Sequence, residues 1–407
     1  MPRLIKLAFR NILRNKRRTI LTGSIILVSF VILSIFKGYI TSTKVGWGEI
    51  LIHNDYGHIQ IFNQDYFKED DTSYDYMVSS KHYEKLKKIL SKLPEVEFFS
   101  PRVNISGLIG GEDTSKIFIG SARDASEKEG LYYFDLAKEG QLFSTEMPYS
   151  IVIGKKLAEK LKVSLGKDVL LMSHSKLGSM EAINATVVGL ANNYSGLDSM
   201  IVYLNLSDVK DLVLTDDYHY VVVLLKDTKQ MGSVKENLNA IFKEKNIPLL
   251  AKDFKEIATF YMQVVGMYNN YFNISIIVLA VIIIFSLTNT IYMSITDRLK
   301  EYSTMKTIGI KNSTIFLSII WESILITLSI LVLGMLISFI LHEVINKLGL
   351  TLPPPPGSDS RIPFNVMYDL FTNIQICLTF LIVSIGASII PAYHVVKSSI
   401  LKGFSNL

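Results

Sequence analysis

One cysteine, Cys377, in 407 residues excludes an intrachain disulfide, and with it a small secreted scaffold held by cross-links. Charge is also scarce: 19% of residues are Asp, Glu, Lys or Arg, while 49% are hydrophobic. That balance excludes intrinsic disorder and argues against a cytosolic enzyme. No G-x-x-x-x-G-K-[ST] phosphate loop occurs, because Gly154-Lys155 and Gly166-Lys167 each lack the upstream glycine and the following hydroxyl residue. The chain is therefore not expected to hydrolyse nucleotide by itself. Its seven histidines, His53, His58, His82, His174, His219, His342 and His394, form neither H-x-x-x-H nor H-E-x-x-H, so no metal is expected. There is no G-x-S-x-G elbow or paired-carboxylate motif either.

Long uncharged runs are what the sequence does have. Glu256 and Asp297 bracket 40 residues without Asp, Glu, Lys or Arg, and Asp369 and Lys397 bracket 27. Runs of at least about 18 apolar residues match a bilayer core of about 30 Å. Four membrane helices are expected, over 19–36, 272–293, 315–341 and 374–393. Cys377 falls in the last, as a small apolar side chain facing lipid or a neighbouring helix. The first span reads as a retained anchor, since Ser34-Ile35-Phe36-Lys37 offers no signal-peptide cleavage site. Orientation follows the basic residues. Residues 1–18 hold seven and no acid, the 297–311 loop holds Arg298, Lys300, Lys306 and Lys311 against Asp297 and Glu301, and the tail holds Lys397 and Lys402. These pieces carry +7, +2 and +2; because the whole chain carries +5, the remainder carries −6. Both termini (1–18 and 394–407) and the 294–314 loop are thus expected in the cytoplasm, with 37–271 and 342–373 outside. A basic stretch beside a span is a topology and anionic-lipid signal, so nucleic acid is not an expected partner.

Between the first two spans the pattern is mixed α/β. Gly57–Asn63, Ser115–Ser121, Asp168–Ser173 and Tyr218–Leu225 read as strands. Lys81–Leu93 and Met231–Lys243 carry helical apolar spacing. An inserted subdomain is expected around residues 115–215. Ile50–Ile52 and Phe254–Met267 are expected to prolong spans one and two as helical stalks. In the 342–373 loop, Pro353–Pro356 favour a stiff extended connector. Glu322, the only acid between Lys311 and His342, is either a functional intramembrane carboxylate or one that reaches water or a basic partner near the end of its span.

In the cytoplasmic loop, Arg298–Ile308 can form a short amphipathic helix. Leu299, Tyr302, Met305 and Lys306 fall at i, i+3, i+6 and i+7, and Gly309 suits a C-terminal cap. Arg298, Glu301 and Lys306 are then expected within reach of a partner protein.

Four stretches in order carry a family resemblance: LAFRNILRNKRRTIL (7–21), GHIQIFNQDYF (57–67), TDRLKEYSTMKTIGIKNSTI (296–315) and PAYHVVKSSILKGF (391–404). They resemble the FtsX/MacB-like permeases of ABC transporters, particularly the lipoprotein-releasing LolC/LolE-like branch. The resemblance implies an α-helical membrane protein with four spans and a MacB-like periplasmic core, preceded by a cytoplasmic amphipathic helix, in a bacterial inner membrane. It makes Arg298, Glu301, Tyr302, Met305, Lys306 and Gly309 the ATPase-coupling loop. The chain itself would bind no cofactor; ATP and Mg would sit on a separate dimer of ABC ATPase subunits. The force would pass from Arg298–Ile308 to spans one and two and along their stalks. A second permease copy or a paralogue would complete the complex.

The cargo class follows partly from energy. Moving a triacylated lipoprotein into water exposes three chains of roughly 15 methylenes at about 0.8 kcal/mol each, on the order of 35 kcal/mol. A releasing machine needs an apolar cavity open to membrane lipid and a periplasmic lipoprotein carrier. Leu33, Phe36, Tyr39, Ile40, Met267, Tyr268, Tyr271 and Phe272 are the candidate cavity residues, or else a plain interfacial aromatic belt. The alternatives are a MacB-like tripartite efflux permease, whose best-known members carry a fused ATPase, and an FtsX-like regulator of an extracytoplasmic partner.

Overall fold

The computed structural model describes residues 16–68, 74–129, 137–191, 199–352 and 362–397. The expected amphipathic helix before residue 16, the four-proline connector and the tail beyond Lys397 lie outside them. The chain divides into two compact units. One comprises residues 46–262 and 353–362, the other residues 1–45, 263–352 and 363–407.

Helix α1 (Lys16–Leu51) ends in a π-helical turn, Ile52–Tyr56, closed by a hydrogen bond from the Gly57 N–H to the Ile52 carbonyl (2.8 Å). Then follow β1 (Ile59–Asn63), α2 (Ser80–Leu90), β2 (Val96–Gly110), β3 (Ser115–Arg123), β4 (Ala137–Gly140) and β5 (Ser150–Gly154). After these come α3 (Lys155–Leu161), β6 (Asp168–His174), β7 (Met180–Ala191), β8 (Ile201–Asn205), α4 (Leu206–Val213), β9 (Tyr220–Leu225), α5 (Met231–Glu244) and β10 (Leu249–Asp253). Four of the strands pair antiparallel in the order β10-β1-β9-β2. With α2 linking β1 to β2 and α5 linking β9 to β10, this is a split β-α-β arrangement of the ferredoxin-like type.

β2 does not stop at the edge of that sheet. Val96–Arg102 pair with β9, whereas Val103–Gly110 pair with β3 and Gly107–Gly110 also pair with β6. From there the pairing runs β2-β3-β8-β5-β7-β6 and back to β2, a closed ring of six strands. Closure removes exposed edges. Its interior holds Ile105, Phe118, Ile151, Val187 and Val202, and Leu157, Leu161, Val209 and Leu212 from α3 and α4 join the same core. The inserted subdomain thus starts in the middle of β2, about a dozen residues before the expected boundary, since one long strand serves both halves.

A buried ionic cluster fixes the π-helical turn inside this unit. Arg102 on β2 grips Glu127 with two bonds (Nε to Oε1 3.1 Å, Nη2 to Oε2 2.9 Å), and its Nη1 donates to the Asp55 carbonyl oxygen (2.5 Å). Arg123 on β3 donates to the Asn54 carbonyl oxygen (2.6 Å) and to the Asp55 carboxylate (2.7 Å). Arg102, Arg123 and Glu127 are fully buried. Two guanidiniums thus satisfy carbonyls at the negative end of the helix, where such groups otherwise lack partners.

After β10 comes a four-residue helical turn, Phe254–Ile257, with an Asp253/Glu256 capping box, and Ala258 (φ −77°, ψ 60°) breaks the helix. Only then does α6 (Thr259–Asp297) begin. The stalk expected from Phe254 therefore starts at Thr259, because the capping box makes Asp253–Glu256 a local stop and start of its own. Helices α7 (Leu299–Thr307), α8 (Asn312–Leu348) and α9 (Leu370–Lys397) follow among the described residues.

Among the described residues four helices, α1, α6, α8 and α9, are long and apolar enough to cross a membrane. Ile26, Phe30 and Leu33 of α1, Ile283 and Leu287 of α6, Leu331 of α8 and Phe380 of α9 form their shared core. Ile277, Phe285, Leu336, Ile382 and Ile390 point outward, as lipid-facing positions do. Where α8 meets α9, the hydroxyls of Ser323, Thr327 and Ser384 bond to one another at 2.6 and 2.7 Å, small polar contacts of the kind that join helices in lipid.

Candidate functional site

Six of the candidate residues lie on or beside α7. The chain breaks between α6 and α7 at Arg298 (φ −115°, ψ 17°). At the other end Gly309 adopts φ +85°, with Gly309 N–H to Lys306 carbonyl at 3.1 Å and Ile310 N–H to Met305 carbonyl at 3.0 Å. Those two bonds make a Schellman ending, in which the residue after the cap must be left-handed and glycine fits without strain. Ile310 and Met305 pack together with Ile315 and Ile319, so the motif carries its usual apolar contact.

The side chains distribute differently from the expectation. Arg298 is only 2% exposed, and its Nη1 donates to Glu322 of α8 at 3.2 Å. Lys306 turns inward as well: its Nζ donates to the carbonyls of Val395 (2.8 Å) and Val396 (3.0 Å), near the end of α9. The expectation that both reach a partner protein is therefore corrected. Each instead satisfies a negative group on an adjacent helix, a carboxylate for Arg298 and terminal helix carbonyls for Lys306. Tyr302 is buried between them, and burial together with the Glu322 carboxylate pushes its phenol up to about 12, against the opposing effect of Arg298. Burial lowers the Lys306 ammonium below its ordinary value. Met305 packs inward beside Tyr302.

Glu301 stays exposed, and so do Thr304, Thr307 and Ile308, the last at 71%. Spacings of three and four place Glu301, Thr304 and Ile308 on one outward face. Sequence reasoning named only Glu301 of these; the exposed isoleucine was the available signal for the others.

The second group divides. Leu33, Ile40 and Phe272 are buried in the helix core, with Phe36 and Tyr268 packed against it. Phe36 lies 6.3 Å from Phe272, Tyr39 stacks on Phe364 at 5.0 Å, and the Lys37 ammonium sits over the Phe272 ring at 4.8 Å. Leu33, Phe36, Tyr39, Ile40, Tyr268 and Phe272 thus pack against neighbouring segments of the chain. Met267 (41%) and Tyr271 (51%) remain exposed. Glu322 takes the basic-partner alternative.

Residues 19–241 match the family described as MacB-like periplasmic core domain, and residues 273–400 the one described as FtsX-like permease C-terminal. The chain belongs to the FtsX/MacB-like permease family. It is an ABC transporter permease of that type, with four apolar helices and a large α/β domain between the first two. The family implies an ABC ATPase as partner. The similar solved structures include these three. The extracellular domain of the noncanonic ABC-type transporter YknZ from Gram-positive bacteria shows 17% identity and a TM-score of 0.34, covering 48% of this chain and 99% of that one. The periplasmic region of MacB from Actinobacillus actinomycetemcomitans shows 17% identity and 0.37, covering 52% and 94%. A domain of a permease protein from Porphyromonas gingivalis shows 14% identity and 0.29, covering 48% and 85%. No curated protein matches with significance.

Proposed function

We propose that this FtsX/MacB-type permease takes lipoproteins out of the outer leaflet of a bacterial inner membrane and passes them to a soluble periplasmic carrier. A separate pair of ATPase subunits supplies the work from the cytoplasm, where both termini lie. The ATPase meets the outward face of α7 at Glu301, Thr304 and Ile308, and a second permease copy or a paralogue completes the complex.

One observation carries the cargo reading. α6 runs 39 residues, roughly 58 Å at 1.5 Å per residue, against a hydrocarbon core of about 30 Å. Near the outward end of its apolar run it keeps Met267, Tyr271, Ile274 and Val278 exposed. These fall at intervals of three and four, one stripe of a helix. Acyl chains leaving the bilayer lose on the order of 35 kcal/mol of apolar burial unless another surface replaces it. A continuous apolar stripe leading away from the leaflet is such a surface. Helix α1 likewise outlasts the 18 residues of its expected span, so motion at either end of these helices has a stiff path.

Photoreactive residues at 267 and 271, in the complex with its ATPase, test this. Capture of acylated protein is expected. Capture of phospholipid alone at both positions, with outer-membrane lipoproteins sorted normally after depletion of the chain, would overturn it.

A further inference from the structure

The proposed function delivers force to α7 and leaves open which helices receive it. Sequence reasoning routed it to spans one and two. The contacts around α7 keep span two but bring in spans three and four in place of span one. The apolar cluster beneath it combines Tyr302 and the half-buried Met305 with Ile291 and Ile295 of α6, Ile315 and Ile319 of α8, and the end of α9. Among the described residues, α1 contributes no member.

Two charges reinforce this pattern. The Arg298 guanidinium is held to Glu322 on α8, and the Lys306 ammonium to the last carbonyls of α9. Apolar contacts are non-directional and allow a short helix to slide or roll. A buried charge does not, because separation leaves it desolvated and unpaired. The geometry makes each tie specific. Glu322 lies on the third turn of α8, with 13% of its side chain exposed, and Lys306 reaches two successive carbonyls at once.

We infer that Arg298 and Lys306 are positioning residues of a charge-tied joint that makes α7, the base of α8 and the end of α9 move as one body when the ATPase pushes on α7. Spans three and four are then driven elements of the cycle, not a passive frame. This inference rests on the reading of α7 as the ATPase contact.

The test does not need the cargo. Cys377 is the only cysteine, so Cys377→Ser gives a background in which Thr307→Cys, outside the Glu301, Thr304 and Ile308 stripe, and Tyr393→Cys, both at exposed positions, take spin labels on α7 and α9. The labelled chain is purified with its ATPase subunit and measured without nucleotide and with a non-hydrolysable ATP analogue. The expected result is one label-to-label distance in both states. In Lys306→Met the distance should shift and broaden when the analogue binds, and Lys306→Arg, which keeps the donors, should restore the single distance. Glu322→Gln should loosen the joint in the same sense. The charge-swapped pair, Arg298→Glu with Glu322→Arg, should recover what either single change loses. Lys306 is partly exposed, so Lys306→Met threatens insertion least and carries the test if the buried variants fold poorly. Equal ATP-dependent shifts in the unsubstituted chain and Lys306→Met, or no shift in either Lys306→Met or Glu322→Gln, would overturn the joint. Failure of the unsubstituted chain to hold the ATPase subunit, while Glu301→Lys behaves identically, would bring down the α7 reading and the joint with it.

Discussion

Glu127→Gln is the sharpest perturbation of the external domain. Glu127 is fully buried, and both its oxygens accept from Arg102, itself fully buried. With Arg123 and Asp55 the cluster holds two positive and two negative groups and is neutral. An amide at 127 removes one negative charge and turns an N–H donor towards a guanidinium that can only donate. An uncompensated buried charge costs about 3–5 kcal/mol. For a domain of this size about 2–4 °C of melting temperature is lost per kcal/mol, so the drop should be roughly 6–20 °C. Asp55→Asn should cost less, although Asp55 contacts both arginines, because its side chain is 50% exposed and water replaces part of what is lost. The chain offers a local reporter. It has two tryptophans, and Trp47 lies edge-on to Tyr261 at 5.3 Å within the same compact unit. In a Trp321→Phe background, Trp47 fluorescence during heating of the detergent-solubilised chain reports that unit. A Glu127→Gln transition within a degree or two of the parent, or a larger loss in Asp55→Asn, would refute the claim that the Arg102–Glu127 pair is dry and structurally decisive.

Gly57→Ala should destabilise the same unit by about 1–3 kcal/mol from backbone strain alone. Gly57 sits at φ +63°, ψ −178°, and an added Cβ would lie 2.4 Å from Val222 Cγ1 and 2.9 Å from the Val223 carbonyl oxygen; the same Trp47 melt reads it. His58 accepts from the Leu225 N–H at Nδ1 and bonds Thr228 through Nε2, and burial first, then His53, holds its pKa down from 6.5 to about 4, against Asp227. The fold prefers the neutral ring, so this contribution is complete above pH 6.5 and disappears as pH falls towards 4. It amounts to about 3 kcal/mol, and His58→Gln should flatten that part of the stability–pH curve. Glu301→Lys, at an exposed position, should leave melting and membrane insertion unchanged while weakening retention of the ATPase subunit in pull-down; undiminished retention would remove α7 from the contact.

Much of the fold was legible because it is local. Four strands and two helices of the external domain show their period within a single window; α5 is found at Met231–Glu244 against an expected Met231–Lys243. What escaped was set by pairing at a distance. β2 reads poorly as a strand because Pro101, Gly107 and Gly110 interrupt it, yet Pro101 falls where the strand passes from one sheet to the other. β5 (SIVIG) and β8 (IVYLN) are five residues each and buried throughout; a strand covered on both faces has no alternation to read. Ring closure through β6 and β2 depends on partners 60 or more positions apart, which no window contains.

The site shows the same division, and it has a mechanical consequence. That a helix ends at Gly309 follows from a dozen residues. Which face of that helix turns inward follows from Glu322, 24 positions on, and Val395, 89 positions on. Amphipathic reasoning treats Arg and Lys as outward by default and so placed the two ties of α7 on its partner-facing side. With both turned inward, the outward side keeps Glu301, Thr304 and Ile308, flanked by Lys300 and Thr307, a small surface with few charges to hold a partner by itself. A force arriving through so small a contact moves the membrane helices only if α7 cannot roll beneath it, and Arg298 and Lys306 are the groups that prevent rolling. Strength at this site therefore resides less in the contact with a partner than in the fastening behind it.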